Sequence, residues 1–140
     1  EREREMLLDA IEMRRYLERE MIRMVVKSAT DQDFAFVKEK LDRLLEKYEQ
    51  GVDESQEDYE FHMALYQITH NPAMEQLHIY MDKVFKHIFW DYPLNMEHPF
   101  NTTIPLHNDL FLALRNRSRA EAERVDGKIM DIMVKEIRQA

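Results

Sequence analysis

The chain of 140 residues has no cysteine, which excludes disulfides, thiolate metal sites and cysteine nucleophiles and fits the reducing cytoplasm expected for it. Any metal chemistry must therefore fall to histidine and carboxylates. Glycine occurs twice and proline four times, so few positions can break a helix. No apolar run approaches the ~20 residues that a membrane span needs, and no segment has the apolar core of a signal peptide. An excess of basic charge is also missing. The net charge is -8 and the basic residues are interspersed with acidic ones, leaving no patch to attract a phosphate backbone. The chain by itself is thus expected to bind neither nucleic acid nor membrane. It also lacks an initial methionine: it opens at Glu1 with only Glu and Arg in its first five positions, which reads as a cut in mid-protein.

What is present is helical material. Hydrophobic residues make up 44% and charged residues 34%, a composition that supports one globular domain over residues 1–140. Leu7, Ala10, Ile11, Leu17, Met21, Met24 and Val25 recur at the three-and-four period of a buried helix face. Thr30 with Asp33 resembles an N-cap and its N3 acid, opening a second helix with Phe34, Val37, Leu41, Leu44 and Tyr48 inward and Gly51 at its end. Asp53 or Ser55 caps a third helix carrying Phe61, Leu65 and Ile68, and Asn71-Pro72 starts a fourth with Met74, Leu77, Met81, Phe85 and Ile88. The stretch Asp91 to Thr103 reads as the one long loop, a lid or pocket rim. A fifth helix buries Leu110, Phe111 and Leu114, and a capping box at Ser118 to Glu121 opens a sixth with Val125, Ile129 and Ile137 inward. Short connections make neighbours antiparallel. The expected fold is all-α, an antiparallel bundle of about six helices around an internal ligand pocket.

Polar residues on these apolar stripes mark the functional candidates, because burying one without a partner costs about 1–3 kcal/mol. Asp58 and His62 lie four apart on the Phe61, Leu65, Ile68 stripe, and His107 lies between Ile104 and Leu110. A carboxylate and two imidazoles so placed suit one divalent ion, while an ion pair beside a hydrogen-bonded core histidine accounts for the same pattern. Arg14 and Glu18 interrupt the first stripe, either as an internal salt bridge or with Arg14 free for an anion. His78 and His87 read as rim or core histidines, and the ten methionines as core filler that also suits an adaptable pocket.

Several segments, in order, resemble one family. Glu12-Met13-Arg14-Arg15-Tyr16-Leu17-Glu18 resembles the opening of the FadR-type C-terminal ligand-binding (FCD) domain of GntR transcription regulators. Asp58-Tyr59-Glu60-Phe61-His62 resembles its D-x-x-F-H helix, Thr69-His70-Asn71-Pro72 the turn that follows, and His107 to Leu114 a later helix. The resemblance implies an effector-sensing helical bundle behind an N-terminal winged-helix DNA-binding domain absent from this chain. It implies a homodimer that reaches operator DNA only through that missing domain, and a small carboxylate effector bound by Arg14, with Asn71 also assigned to the ligand site. Asp58, His62 and His107 match three members of a metal set that would take zinc, nickel or manganese. The fourth position of that set falls at Ile129, which has no donor atom, with Asp126 one turn earlier as the nearby carboxylate. No catalysis is implied. The alternatives are a metal-dependent enzyme with a two-His carboxylate site, a metal-free sensor of acyl ligands, and a purely structural bundle.

Overall fold

The face of Leu7, Ile11, Met21, Ile22 and Val25 is buried along the first helix, α1 (Arg2–Ser28). The computed structural model describes the backbone of residues 1–91 and 99–140 and the side chains of 1–89 and 99–140. Within these, α2 (Asp31–Glu49), α3 (Ser55–Gln67), α4 (Pro72–Asp91), α5 (Ile104–Arg115) and α6 (Arg119–Gln139) follow, with a short 3₁₀ turn at Asn101–Thr103 before α5. The described residues hold six helices and no strand. None of these helices is long and apolar enough to cross a membrane.

The pairing of α1 with α6 is antiparallel, as its polar contacts record. Arg4 Nε donates to the Ile137 carbonyl at 3.1 Å and its Nη2 to the Ala140 carbonyl at 2.6 Å. Further along α1, Arg15 Nη2 meets Asp131 Oδ1 at 2.6 Å, so numbers rise on one helix as they fall on the other. The α1–α6 pair also packs on α4 and α5, while α2 packs on α3 and α5, closing a bundle around one apolar core. Phe34 of α2 meets Phe111 of α5 edge to face, ring centroids 6.3 Å apart, a favoured aromatic geometry.

Local chemistry sets the element ends. Thr30 Oγ1 accepts from Asp33 N at 3.1 Å while Asp33 Oδ2 accepts from Thr30 N at 2.8 Å, a complete capping box. Gly51, at φ +70°, takes the left-handed conformation after α2. Asn71 Oδ1 accepts from the backbone N–H groups of Ala73 and Met74 at 3.0 and 3.3 Å, capping α4 with Pro72 in its first turn. At α3 the cap is Glu54; Asp53 Oδ1 accepts instead from Ser55 N and Oγ, at 3.0 and 2.6 Å.

Two expectations are corrected. Ser118 stands at the N-cap of α6, but its side chain makes no cap hydrogen bond, and the Glu121 carboxylate that would complete a capping box is engaged by Arg124 at 2.6 and 3.0 Å. Leu77, placed in the α4 stripe by its spacing, is 51% exposed, and its neighbour His78 is buried in its stead. Asp91 belongs to α4 and Asn101–Thr103 to a 3₁₀ turn, although the sequence assigns both to the long loop; the part of that expectation on residues 92–98 lies outside the described residues.

Candidate metal centre and ligand cavity

Residues four apart on a helix share a face, so α3 presents Asp58, His62 and Tyr66 in one line. Into this line α5 brings His107, buried at 1% exposure. Asp58 Oδ1 lies 3.3 Å from His62 Nε2 and 2.9 Å from His107 Nε2, and the two imidazole nitrogens are 3.0 Å apart. Ligand atoms about 2.1 Å from one ion stand about 3.0 Å apart at octahedral angles and about 3.4 Å apart at tetrahedral ones. The triangle therefore fits three ligands on one face of a single divalent cation. It is the one such His and carboxylate group among the described residues.

The proton positions point the same way. The Thr103 carbonyl can only accept, so His107 Nδ1 carries the hydrogen in their 2.8 Å bond, and Nε2 is the ring atom that faces Asp58 and His62. That backbone contact is the kind of support that orients a ligating imidazole. Burial alone would raise the Asp58 carboxyl, but the charges and hydrogen bonds of His62 and His107 hold it well below the usual carboxylate range. A divalent cation where the three ligand atoms meet would take the place of the imidazole protons that otherwise meet Asp58, with all three atoms then giving lone pairs to it.

The centre opens onto a cavity of about 440 Å³ whose wall includes Asp58, His62, Arg14, Tyr66 and His78. Arg14 Nε donates to Glu18 in a short ion pair, and its Nη1 lies 3.8 Å from Met133 Sδ, a weak acceptor. Arg14 is also part of the cavity wall. Tyr66 Oη and His78 Nε2 are buried with no hydrogen-bond partner. The His78 ring lies between Tyr66, stacked at 4.3 Å, and Tyr59, stacked at 5.9 Å. Burial, with the nearby charges of His62 and Arg14, lowers the His78 pKa to about 4, so this histidine is neutral near pH 7.

Behind Arg14 lies a carboxyl pair. Glu18 on α1 and Asp126 on α6 are 0% and 2% exposed, and Glu18 Oε1 and Asp126 Oδ1 are buried without a partner, which a proton shared between the two carboxyls would satisfy. Burial opposes both charges, but Arg14 draws the Glu18 pKa down to about 2. Burial and the Glu18 charge push Asp126 well above the usual range, so Asp126 keeps the proton. An acid raised on folding contributes stability that is present below about pH 4 and lost as pH climbs to its folded pKa. Asp126→Asn keeps a donor for Glu18 and cannot ionise. Its melting temperature relative to the parent should therefore rise as pH climbs above about 4; parallel curves would show that Asp126 does not hold the proton.

Asp58, His62 and His107 come together as the sequence proposed, with Arg14 on the same cavity. Asn71 stands elsewhere, at the cap of α4 and not on the cavity wall. Ile129 is an apolar core residue at 1% exposure, and Asp126 pairs with Glu18 instead of joining the metal triangle. His87 is exposed. Tyr66 was not singled out from sequence, although its place four residues after His62 on an otherwise apolar stripe was a usable signal.

Residues 9–130 match the family model of the FCD domain. The chain is 26% identical over 113 residues to the galactonate operon transcriptional repressor of Escherichia coli (strain K12), covering 81% of this chain and 49% of the repressor. The chain thus spans about half of that relative's length. Among solved structures it is similar in fold to McbR/YncC of E. coli, with a TM-score of 0.73, 21% identity, and coverage of 94% of this chain and 63% of that one. It is likewise similar to Streptococcus agalactiae GntR, with a TM-score of 0.74, 18% identity, and coverage of 97% and 60%.

Proposed function

Because the chain belongs to the FCD domain family, we propose that it is the effector-sensing part of a bacterial GntR-type transcription regulator that takes a small organic acid into its helical cavity beside a divalent ion. The observation that carries this reading is the convergence of Asp58, His62 and His107 on a cavity that also receives the Arg14 guanidinium. Bound there, zinc, nickel or manganese would supply a Lewis-acidic site for a carboxylate oxygen. Arg14 would add a planar two-point contact to the same head group, and Tyr66 and the neutral His78 two further polar atoms.

The relatives are regulators of transcription, so the enzyme alternative is set aside. The wider assembly in this proposal is a cytoplasmic homodimer, with operator DNA bound by a winged-helix domain on the N-terminal side. The effector would act by binding one arrangement of that assembly better than another.

The test is a thermal scan of the chain with a panel of small carboxylates, with and without manganese and with chelator. A ligand that binds only the folded state raises the melting temperature by mass action, by about 2.7 kcal/mol of stability at a hundredfold excess over Kd. Metal should enhance the shift from the acids and Arg14→Lys should weaken it. No shift from any acid under any metal condition would remove the proposal.

A further inference from the structure

The cavity is chemically divided. Its buried polar atoms belong to the Asp58, His62 and His107 centre, Arg14, Tyr66 and His78. Phe85, Phe89 and Phe100 form a connected aromatic wall, and Leu17 and Met81 add further apolar lining. Phe85 and Phe89 lie nearly parallel, centroids 6.0 Å apart at 14°, and Phe100 is tilted at 55° and 51° to them at 6.2 and 6.0 Å. The other polar lining residues are half-buried, Glu54, Tyr59 and Asp82, or exposed, Asp53, Ser55 and Lys86, with Lys86 paired to Asp82 at 3.0 Å.

Resting on the acid-sensor reading, we infer that the effector is an aryl or arylalkyl carboxylate, with its acid at the Arg14 and metal end and its ring against Phe85, Phe89 and Phe100. Geometry decides between this and a polyhydroxylated acid. A sugar-acid chain carries a hydroxyl on nearly every carbon, and each one desolvated against the phenylalanines would lose its water without gaining a partner. Tyr66 and His78 can meet some of these hydroxyls with their unpartnered buried atoms, whereas the polar residues on the exposed side are already engaged, Asp53 with Ser55 and Lys86 with Asp82. A ring exchanges no hydrogen bonds for its burial, and the tilted rings offer both faces and edges for offset or T-shaped contacts. A methionine such as Met81 adds a polarisable contact of the same kind. A cavity of about 440 Å³ is also within the range that encloses a ring-bearing ligand.

The experiment compares phenylacetate and phenylpropionate with galactonate and octanoate, by melting temperature and by calorimetric titration of the manganese-loaded chain. Phenylpropionate should bind most tightly, and Phe85→Leu, which keeps apolar volume but removes the ring face, should weaken it about tenfold. Phe100→Leu should act the same way and serves if Phe85→Leu does not fold. Galactonate binding in preference to the arylalkanoates would overturn the inference and leave the acid sensor standing. Octanoate binding as tightly as phenylpropionate, or phenylpropionate binding undiminished in the folded variants, would also overturn it. Failure of all four acids, together with failure of the small-carboxylate panel, would strike the sensor reading itself.

Discussion

Replacing His107 with alanine should leave the chain unable to retain a divalent ion. The parent is expected to hold about one ion through three ligands, weaker than a complete four-ligand site and easier to strip. His107 is the one ligand from outside α3, and its Nε2 lies within 3.0 Å of both other ligand atoms. Without it Asp58 and His62 remain as a pair on a single helix, too few to hold the ion against water and chelator. The parent, with metal at a hundredfold excess over Kd, gains about 2.7 kcal/mol, and this gain should vanish in the variant. Elemental analysis after dialysis and thermal scans with and without manganese read the two effects. Metal content undiminished in both His107→Ala and His62→Ala would show that these residues do not form the site.

Arg14→Ala should be the most destabilising single change at the cavity. The loss follows from Glu18, whose side chain is 1% exposed and whose charge depends on the Arg14 pair. Breaking a buried pair costs about 3–5 kcal/mol, and since a quarter of the Arg14 side chain is exposed the lower end applies, about 3 kcal/mol or roughly 10 °C in melting temperature. Without the guanidinium Glu18 loses what draws its pKa to about 2. The variant's deficit should then be larger at pH 7 than at pH 5, where Glu18 can take up a proton. Adding Glu18→Gln should recover most of the stability while leaving any carboxylate response absent. A response to small acids that survives in Arg14→Ala would remove this residue from the ligand site.

How much of this was legible in the sequence depended on the range of each interaction. The Thr30 capping box and the Asn71 cap lie within a few residues of their partners, so the local pattern revealed them. Asp58 and His62 were visible because helical period alone puts them on one face, and His107 because it interrupts another stripe. The pairing of the Glu18 and Asp126 carboxyls is between α1 and α6, and no periodicity within either helix reports such a neighbour. The box at Ser118 to Glu121 misled in its reciprocal half because a motif supplies the atoms but not the competition, and Arg124 claims the Glu121 carboxylate. Leu77 misled for a related reason: the apolar stripe admits His78 once its ring has Tyr66 and Tyr59 to stack against. The aromatic wall draws Phe100 from the turn before α5 and Phe85 from α4, an arrangement that only the folded chain brings together.

The anchoring of Arg4 makes α1 and α6 a mechanical pair. Arg4 is tied to the carbonyls of Ile137 and Ala140 at the far end of α6, while Arg14 and Leu17, further along α1, touch the cavity. From Arg2 to Arg14 is 14 − 2 = 12 residues, about 18 Å of helix, so a tilt of about 5° about Arg14 carries the first turn through about 1.6 Å. Because Arg4 grips the last turn of α6, that displacement drags the second helix along instead of being lost in fraying. The cavity thus sits at the fulcrum of a stiff arm, where a change in side-chain position too small to disturb the core becomes a larger motion at the bundle's end.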